Sequence, residues 1–408
     1  LEPGFDRNTV FFELNAGKLS DNKKDLLEQL YNTVAAALAL SIPEYASIDR
    51  KKILDTSKHR FVTELSGNKT YGHIYSNRQK VLEKEKQKKL VELDKERVIS
   101  DSDAATSSTF SKDGNRIAYS TKKNQLNNVY IGSANNYEQR KLILKHPTWD
   151  GWTHSLFFNR TGDLFVINNN AVRRHNNNHW VYEIETEDSV NASIDQDGKL
   201  IFVALVNSII IYNGNTGIKI NDITYDQATL TQISSKADGR YFASGDDTGV
   251  VRIFRSDSKR FHLSKKFNSP ISQLSYIGNS QRLIVGLYNG DVHLWDSIKN
   301  TSNLIDQTGN EITAVSISHK NNRFAIRTQQ GLIRQYSLET NTLQGSIQES
   351  NLSNAKILSG GATLNYSADD EYILYGGAND LKYRRSTTSE MINEHYNKLI
   401  TIGKKKSW

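Results

Sequence analysis

The 408 residues would fill two or three average domains, or one larger closed β fold. Hydrophobic residues at 37% and charged residues at 24% describe a rather polar globule, and no apolar run reaches the roughly 18 residues that a membrane span needs. Cysteine is absent, which excludes disulfides, thiolate metal sites and Cys nucleophiles, and the net charge of +7 is only mildly basic.

A nucleic-acid or anionic-surface role would need that charge on one face. The visible clusters, Lys84 to Lys89 and Lys404 to Lys406, lie outside the repeats described below, so nucleic acid is not the expected partner. The chain opens at Leu1 with neither the basic nor the apolar region of a signal peptide. A start without Met reads as a fragment or a processed product, and the expected location is cytoplasmic.

In chain order, Val10 to Leu14 reads as extended. Asp21 can cap a helix that carries Leu26, Leu27, Leu30, Val34, Ala37 and Leu38 on one stripe and stops at Pro43. A second helix fits Ile48 to Leu65 and ends at Gly67; a third fits Tyr71 to Lys88, with Ile74, Val81 and Leu82 apolar. Such short amphipathic helices need a surface to bury against, and they are expected to pack on the fold that follows. Leu90-Val91-Glu92-Leu93 then alternates as a strand does.

From about residue 98 to 386 the chain repeats itself. Each unit has an apolar strand, a polar turn, a second apolar strand, a tight turn and a third strand. The turns align seven times: Ser111–Gly114, Asn159–Gly162, Asp195–Gly198, Lys236–Gly239, Gly278–Ser280, His319–Asn322 and Ser367–Asp370. Asp-Gly supplies the positive φ of a hairpin turn. The third strands run through Val129–Ile131, Trp180–Tyr182, Ile209–Tyr212, Val250–Phe254, Val292–Trp295, Ile333–Tyr336 and Leu381–Tyr383, most of them ending in an aromatic. A spacing of about 41 residues is that of one four-stranded propeller blade. After Arg385 the pattern turns helical, with Met391, Ile392, His395, Tyr396 and Leu399 on one face.

Leu294-Trp295-Asp296 carries the Trp-Asp ending, and over residues 98–386 the chain resembles the WD-repeat β-propellers. The Gly-His dipeptide that usually precedes the inner strand is missing from every repeat. The resemblance therefore implies blades whose hydrogen-bonded His-containing tetrads are replaced by apolar packing. The flanks, from Val34 to Ser41 and from Thr388 to Ile392 with a final Trp408, are similar to those around the C-terminal WD-repeat modules of bacterial STAND-type NTPases and related signalling proteins. That likeness implies a sensor module whose partner is another domain of a longer chain.

The expected fold is a mainly β, seven-bladed propeller (WD40-like) over 90–386. It has an N-terminal helical region over 1–89 and a C-terminal helix with a basic tail over 387–408. Since the last repeat supplies three strands, Leu90–Leu93 is expected to complete it beside Leu381–Arg385 and so latch the ring.

Chemistry is harder to find. There is no phosphate loop of the P-loop type and no Gly-x-Ser-x-Gly elbow. His175 and His179 have i, i+4 spacing, which gathers a metal only on a helix, and Asn176 to Asn178 favour a turn. Asp246, Asp247 and Asp291 sit in Gly-flanked turns, where they cap backbone amides. Trp149 and Trp152 flank Asp150-Gly151 in the loop entering the second repeat and suit partner anchors, with His154, Arg173 and Arg174 nearby in sequence. The inner strands offer mostly Ser, Thr, Asn and apolar side chains. The expected function is therefore a non-catalytic protein-interaction scaffold or sensor, with no cofactor, metal or catalytic residue. A propeller hydrolase of the lactonase or peptidase type, with its site in the central channel, is the alternative, and binding to nucleic acid or an anionic surface is a further one.

Overall fold

The computed structural model describes residues 81–91, 97–101, 104–134, 139–147, 153–176, 178–225, 228–349, 362–376 and 380–405. The chain divides into two compact units, 88–395 and 1–87 with 396–408. All the described strands lie in the first. A helix α1 (81–91) and a helix α2 (Ser389–Lys405) run across the boundaries between the two. The Val10–Leu14 run, the first two expected helices and most of the third lie outside the described residues, as does their expected packing on the propeller.

Seven antiparallel sheets of four strands each form the blades. Blade 1 spans 104–147, blade 2 153–185, blade 3 189–224, blade 4 230–266, blade 5 271–307, blade 6 312–348, and blade 7 363–385 together with Arg97–Asp101. Within each blade the strands are called a to d from the axis outward. The seven a strands neighbour one another in a closed cycle, including blade 7 against blade 1.

Burial follows this layering. The b strands are buried almost throughout, as in Leu164–Asn168, where all five residues are inside. The d strands alternate instead, as in Trp180–Glu185, because only one of their faces has a neighbour. Between blades the core is a series of apolar sandwiches. Phe202, Phe242 and Phe254 stack across blades 3 and 4 with centroids 4.9 and 5.1 Å apart. Each such pair adds about 0.5–1.5 kcal/mol beyond its buried area.

The a–b turns repeat one backbone design. In blade 3 Asp195 N–H donates to Leu200 O and Gly198 N–H donates back to Asp195 O, 3.2 and 3.0 Å. Only one residue per turn is left-handed, Gly198 at φ 70° in this case, with Asn321 and Asp370 in that role in blades 6 and 7. Asp197 is not left-handed, so Asp-Gly here closes a longer turn than a two-residue hairpin.

Three expectations need correction. Leu90 and Val91 do not form a strand; they end α1, and Val91 is 69% exposed. The strand that latches the ring is Arg97–Asp101, pairing antiparallel with Asp380–Arg385, Arg97 opposite Tyr383 and Val98 opposite Lys382. The Lys- and Glu-rich run before Leu90 favours continued helix, and the chain becomes extended only later. Second, Trp180–Glu185 is the d strand of blade 2; its c strand is Ala171–His175, which follows an Asn169-Asn170 turn. Third, the tetrad positions are not filled only by apolar groups, as described next.

Candidate functional site

Strand alternation assigns the loops to faces. The d-to-a connections and the b–c turns share one face, called the front; the a–b and c–d turns share the back. Between them lies the channel lined by the a strands.

None of the seven a strands carries Asp, Glu, Lys or Arg. Six of them shift register near their front end, leaving Thr106, His154, Val190, Thr231, Ser272 and Thr313 outside the ladder. A bulge of this kind re-aims the side chain it releases. In blade 2 that residue is His154. Its Nδ1 meets Ser155 Oγ at 2.9 Å and its Nε2 meets Ser189 Oγ of blade 3 at 3.1 Å. Loss of water around the ring pushes its pKa down to about 4, so the imidazole is neutral near pH 7. One nitrogen then donates and the other accepts, and both hydroxyls are satisfied. Ser189 is completely buried, and the ring's hydrogen-bond partners are hydroxyls rather than a carboxylate. The arrangement staples two blades and lacks the accessible nucleophile and oriented base of acyl transfer.

Other bulge residues also tie blades or strands together. Thr231 Oγ1 donates to Ile271 O of blade 5 at 2.7 Å. Further along the channel Asn191 Nδ2 donates to Gln232 Oε1 at 2.6 Å, and Asn365 Nδ2 donates to Ser108 O at 2.9 Å, joining blade 7 to blade 1.

Polar clusters stand beneath the front turns of blades 4 to 6. In blade 4 the fully buried Asp246 accepts from Thr248 N–H at 3.0 Å, Thr248 Oγ1 at 2.6 Å and Val250 N–H at 2.9 Å. Its second oxygen accepts from Tyr225 OH at 3.0 Å and from Arg252. Burial works against the charge, but these donors outweigh it and hold the carboxyl below the usual range. Burial pushes Tyr225 up to about 12. Tyr225 stands five residues before the blade 4 a strand, which begins at Leu230. In blade 5 Asp291 accepts from Asn268, Asn289 and Gln307 side-chain amides at 3.1, 2.9 and 3.2 Å. In blade 6 the fully buried Arg327 donates to Glu349 Oε2 through Nε at 3.0 Å and Nη2 at 2.6 Å. Desolvation pushes Glu349 up despite Arg327 beside it. The apolar expectation does hold around Trp295. Phe267 sits edge-on to its ring at 6.4 Å, and the buried indole N–H has no hydrogen-bond partner among the described residues.

These clusters fix the b–c turns, so the residues on top are presented on a rigid base. Asp247, Thr248, Tyr288, Asn289, Gln329 and Gln330 are exposed there. Asp247 caps Thr229 N–H at 3.0 Å, a different loop from its own. Tyr288 is 43% exposed, and Glu311 lies near enough, after burial, to help push its hydroxyl up. Sequence reasoning missed Tyr225 and Tyr288; aligning the residues four to five places before each a strand would have exposed the first.

Of the residues singled out by sequence, Trp149 and Trp152 lie outside the described residues. His154 is in the channel wall. Arg173 Nη2 donates to Glu183 Oε1 at 2.7 Å within blade 2. Arg174 pairs with Asp163 at 2.5 Å, donates to Gly214 O of blade 3 at 3.0 Å and lies over the Phe165 ring. Successive strand residues point to opposite faces, so the two arginines diverge and neither joins His154. His175 packs edge-on against Trp180 at 4.8 Å, and Asn176 caps the turn to His179. Among the described residues no group of three His, Cys, Asp or Glu could hold a metal ion. No described helix is long and apolar enough to cross a membrane.

No protein-family model matches the chain. Over 141 residues it is 28% identical to the Mus musculus target of rapamycin complex subunit LST8, an alignment covering 33% of this chain and 43% of LST8. The chain thus matches less than half the length of that curated relative. Among solved structures it is similar to the C-terminal WD40 domain of Sif2, with TM-score 0.53 and 17% identity over 71% of this chain and 98% of that one. A chain of the mitotic checkpoint complex matches with TM-score 0.58 and 15% identity over 72% and 92%. At these identities the two structures report on the fold.

Proposed function

The chain is a seven-bladed β-propeller of the WD40-repeat kind, and we propose that it is a non-catalytic platform that binds a protein partner on its front face. The observation that carries the reading is the contrast between channel and face. The channel wall has no charged side chain from any a strand, so it offers a substrate no converging acids, bases or cations. The front face has turns locked from below by Asp246, Asp291 and Arg327, with Tyr288 and several amides left exposed.

A rigid base lowers the ordering cost of binding, and an exposed tyrosine next to the exposed Asn289 suits a peptide or protein surface. The relatives fit this reading, since LST8 is named as the subunit of a complex and another match belongs to a checkpoint complex. Trp149 and Trp152, shortly before the blade 2 a strand in sequence, are kept as proposed partner anchors. The finer reading, a sensor whose partner is a domain of the same polypeptide, rests on the flanking resemblance alone.

The test is capture of partners from lysate of the source organism with tagged chain and with a Tyr288→Asp, Gln330→Lys variant. A protein recovered with the first and lost with the second, both equally folded, supports the proposal. Equal recovery with both would overturn it.

A further inference from the structure

The back outer rim has a feature that front-face binding does not use. At three consecutive c–d corners a large apolar residue stands exposed beside a cation: Ile218-Lys219-Ile220 in blade 3, Lys259-Arg260-Phe261 in blade 4 and Ile298-Lys299 in blade 5. Ile218 is 67% exposed, Ile220 52%, Phe261 53% and Ile298 75%. The blade 6 corner, Glu339-Thr340-Asn341-Thr342 before the 50% exposed Leu343, carries no cation, and blade 7 leaves its corner through Ser386–Thr388 into α2; the exposed Arg140-Lys141-Leu142 at the start of the blade 1 d strand repeats the pattern once, apart from this run of three.

The apolar tips are held in place. Ile298 N–H and Lys299 N–H both donate to Asp296 Oδ1, at 3.1 and 3.0 Å. Asn213 N–H donates to Ile218 O at 2.8 Å, and Phe261 packs edge-on against Phe254. The corners adjoin one another: Asn221 Nδ2 donates to Ser258 O at 3.4 Å, and Lys259 crosses to Asp222 of blade 3 at 2.9 Å. Leu263 of blade 4 packs in one cluster with Trp295 of blade 5. Positive charge is in excess here. Lys219 and Lys259 share the single carboxylate of Asp222, while Arg260 and Lys299 have no side-chain ion pair among the described residues.

From this we infer that the back rim of blades 3 to 5 docks on an anionic phospholipid bilayer. A protein groove favours one contiguous apolar patch. Separate apolar tips interleaved with cations suit a fluid planar partner instead. The tips enter the headgroup–acyl boundary while the ammonium and guanidinium groups meet lipid phosphates and carboxylates. Docked this way, the propeller turns its front face, and any protein bound there, toward the water.

The experiment is co-sedimentation of the full chain with phosphatidylcholine vesicles with and without phosphatidylserine. Two variants accompany it: Ile218→Ser, Phe261→Ser, Ile298→Ser and, separately, Lys219→Glu, Arg260→Glu, Lys299→Glu. All six positions are on the rim, and thermal melts check that each variant is folded. The wild type should sediment with the serine-containing vesicles and release in high salt, and each variant should lose about tenfold or more in partitioning. No sedimentation, sedimentation untouched by the serine variant, or binding to soluble polyglutamate but not to vesicles would each overturn the inference. None of these residues lies on the front face, so loss of protein capture there and loss of vesicle binding here are separate results.

Discussion

Replacing Ile99 with alanine should weaken the whole ring. Ile99 lies in the latching strand, is 5% exposed, and packs with Leu374 and Leu381 of blade 7 and with Ile117 and Tyr119 of blade 1. Removing its side chain beyond Cβ leaves a cavity at the seam between first and last blades, at a cost of about 3 kcal/mol. The propeller spans roughly 290 residues, and at about 2.1 cal/mol/K of unfolding entropy per residue that loss lowers Tm by about 5 °C. Urea unfolding followed by both far-UV circular dichroism and Trp fluorescence is the assay, and the two transitions should shift together because closure couples every blade. Two controls bracket the result. Val98→Ala, at a position 47% exposed, should cost no more than about 0.5 kcal/mol. Val91→Ala, on the exposed face of α1, should be neutral or stabilise by a few tenths of a kcal/mol, since alanine is the better helix former. A loss at Ile99 below about 1 kcal/mol, or a larger loss at Val91 than at Ile99, would refute the latch as described.

Three further outcomes follow from named contacts. His154 has its folded pKa lowered to about 4 from 6.5, so its stabilising neutral form is fully present above about pH 6.5 and is lost as pH falls toward 4. The stability difference between wild type and His154→Gln should therefore shrink by about 2–3 kcal/mol across that window, and a flat difference would contradict the half-buried staple. A Cβ on Gly345 would collide with Thr388 Oγ1, so Gly345→Ala should cost about 1–3 kcal/mol and speed proteolysis after Ser386; unchanged stability and cleavage would show that this contact has slack. Trp295→Phe should cost less than about 1.5 kcal/mol because its buried N–H has no partner among the described residues, whereas Trp295→Ala should cost about 3–5; equal losses would mean that the N–H is bonded after all.

The blades were readable because six of the a–b turns place one left-handed residue three positions after the turn opens, blade 5 alone placing Gly278 one position in. Gly114, Gly198 and Gly239 supply it, and a middle strand of buried residues follows. The latch was half readable. That a strand from the N-terminal side must fill the last blade follows from edge pairing, but which strand depends on where α1 ends. Leu90 to Leu93 and Arg97 to Asp101 both mix apolar and polar residues, and only helix continuation through Val91 separates them. The candidate site was the least legible. Tyr225, Asn268 and Arg327 build the buried polar clusters from residue types that the His-containing tetrad of the WD-repeat resemblance does not predict. Arg173 and Arg174 looked free in sequence, yet their carboxylate partners Glu183 and Asp163 are ten and eleven residues away and meet them only across paired strands.

The central claim is that the front face, and not the channel, engages a protein. A photo-cross-linking amino acid placed at Tyr288, with the same probe at Leu142 on the outer wall as comparison, tests it most directly in cells of the source organism. The account predicts a discrete protein adduct at 288 that is absent at 142. No adduct at 288, or the same adduct pattern at both positions, would contradict it.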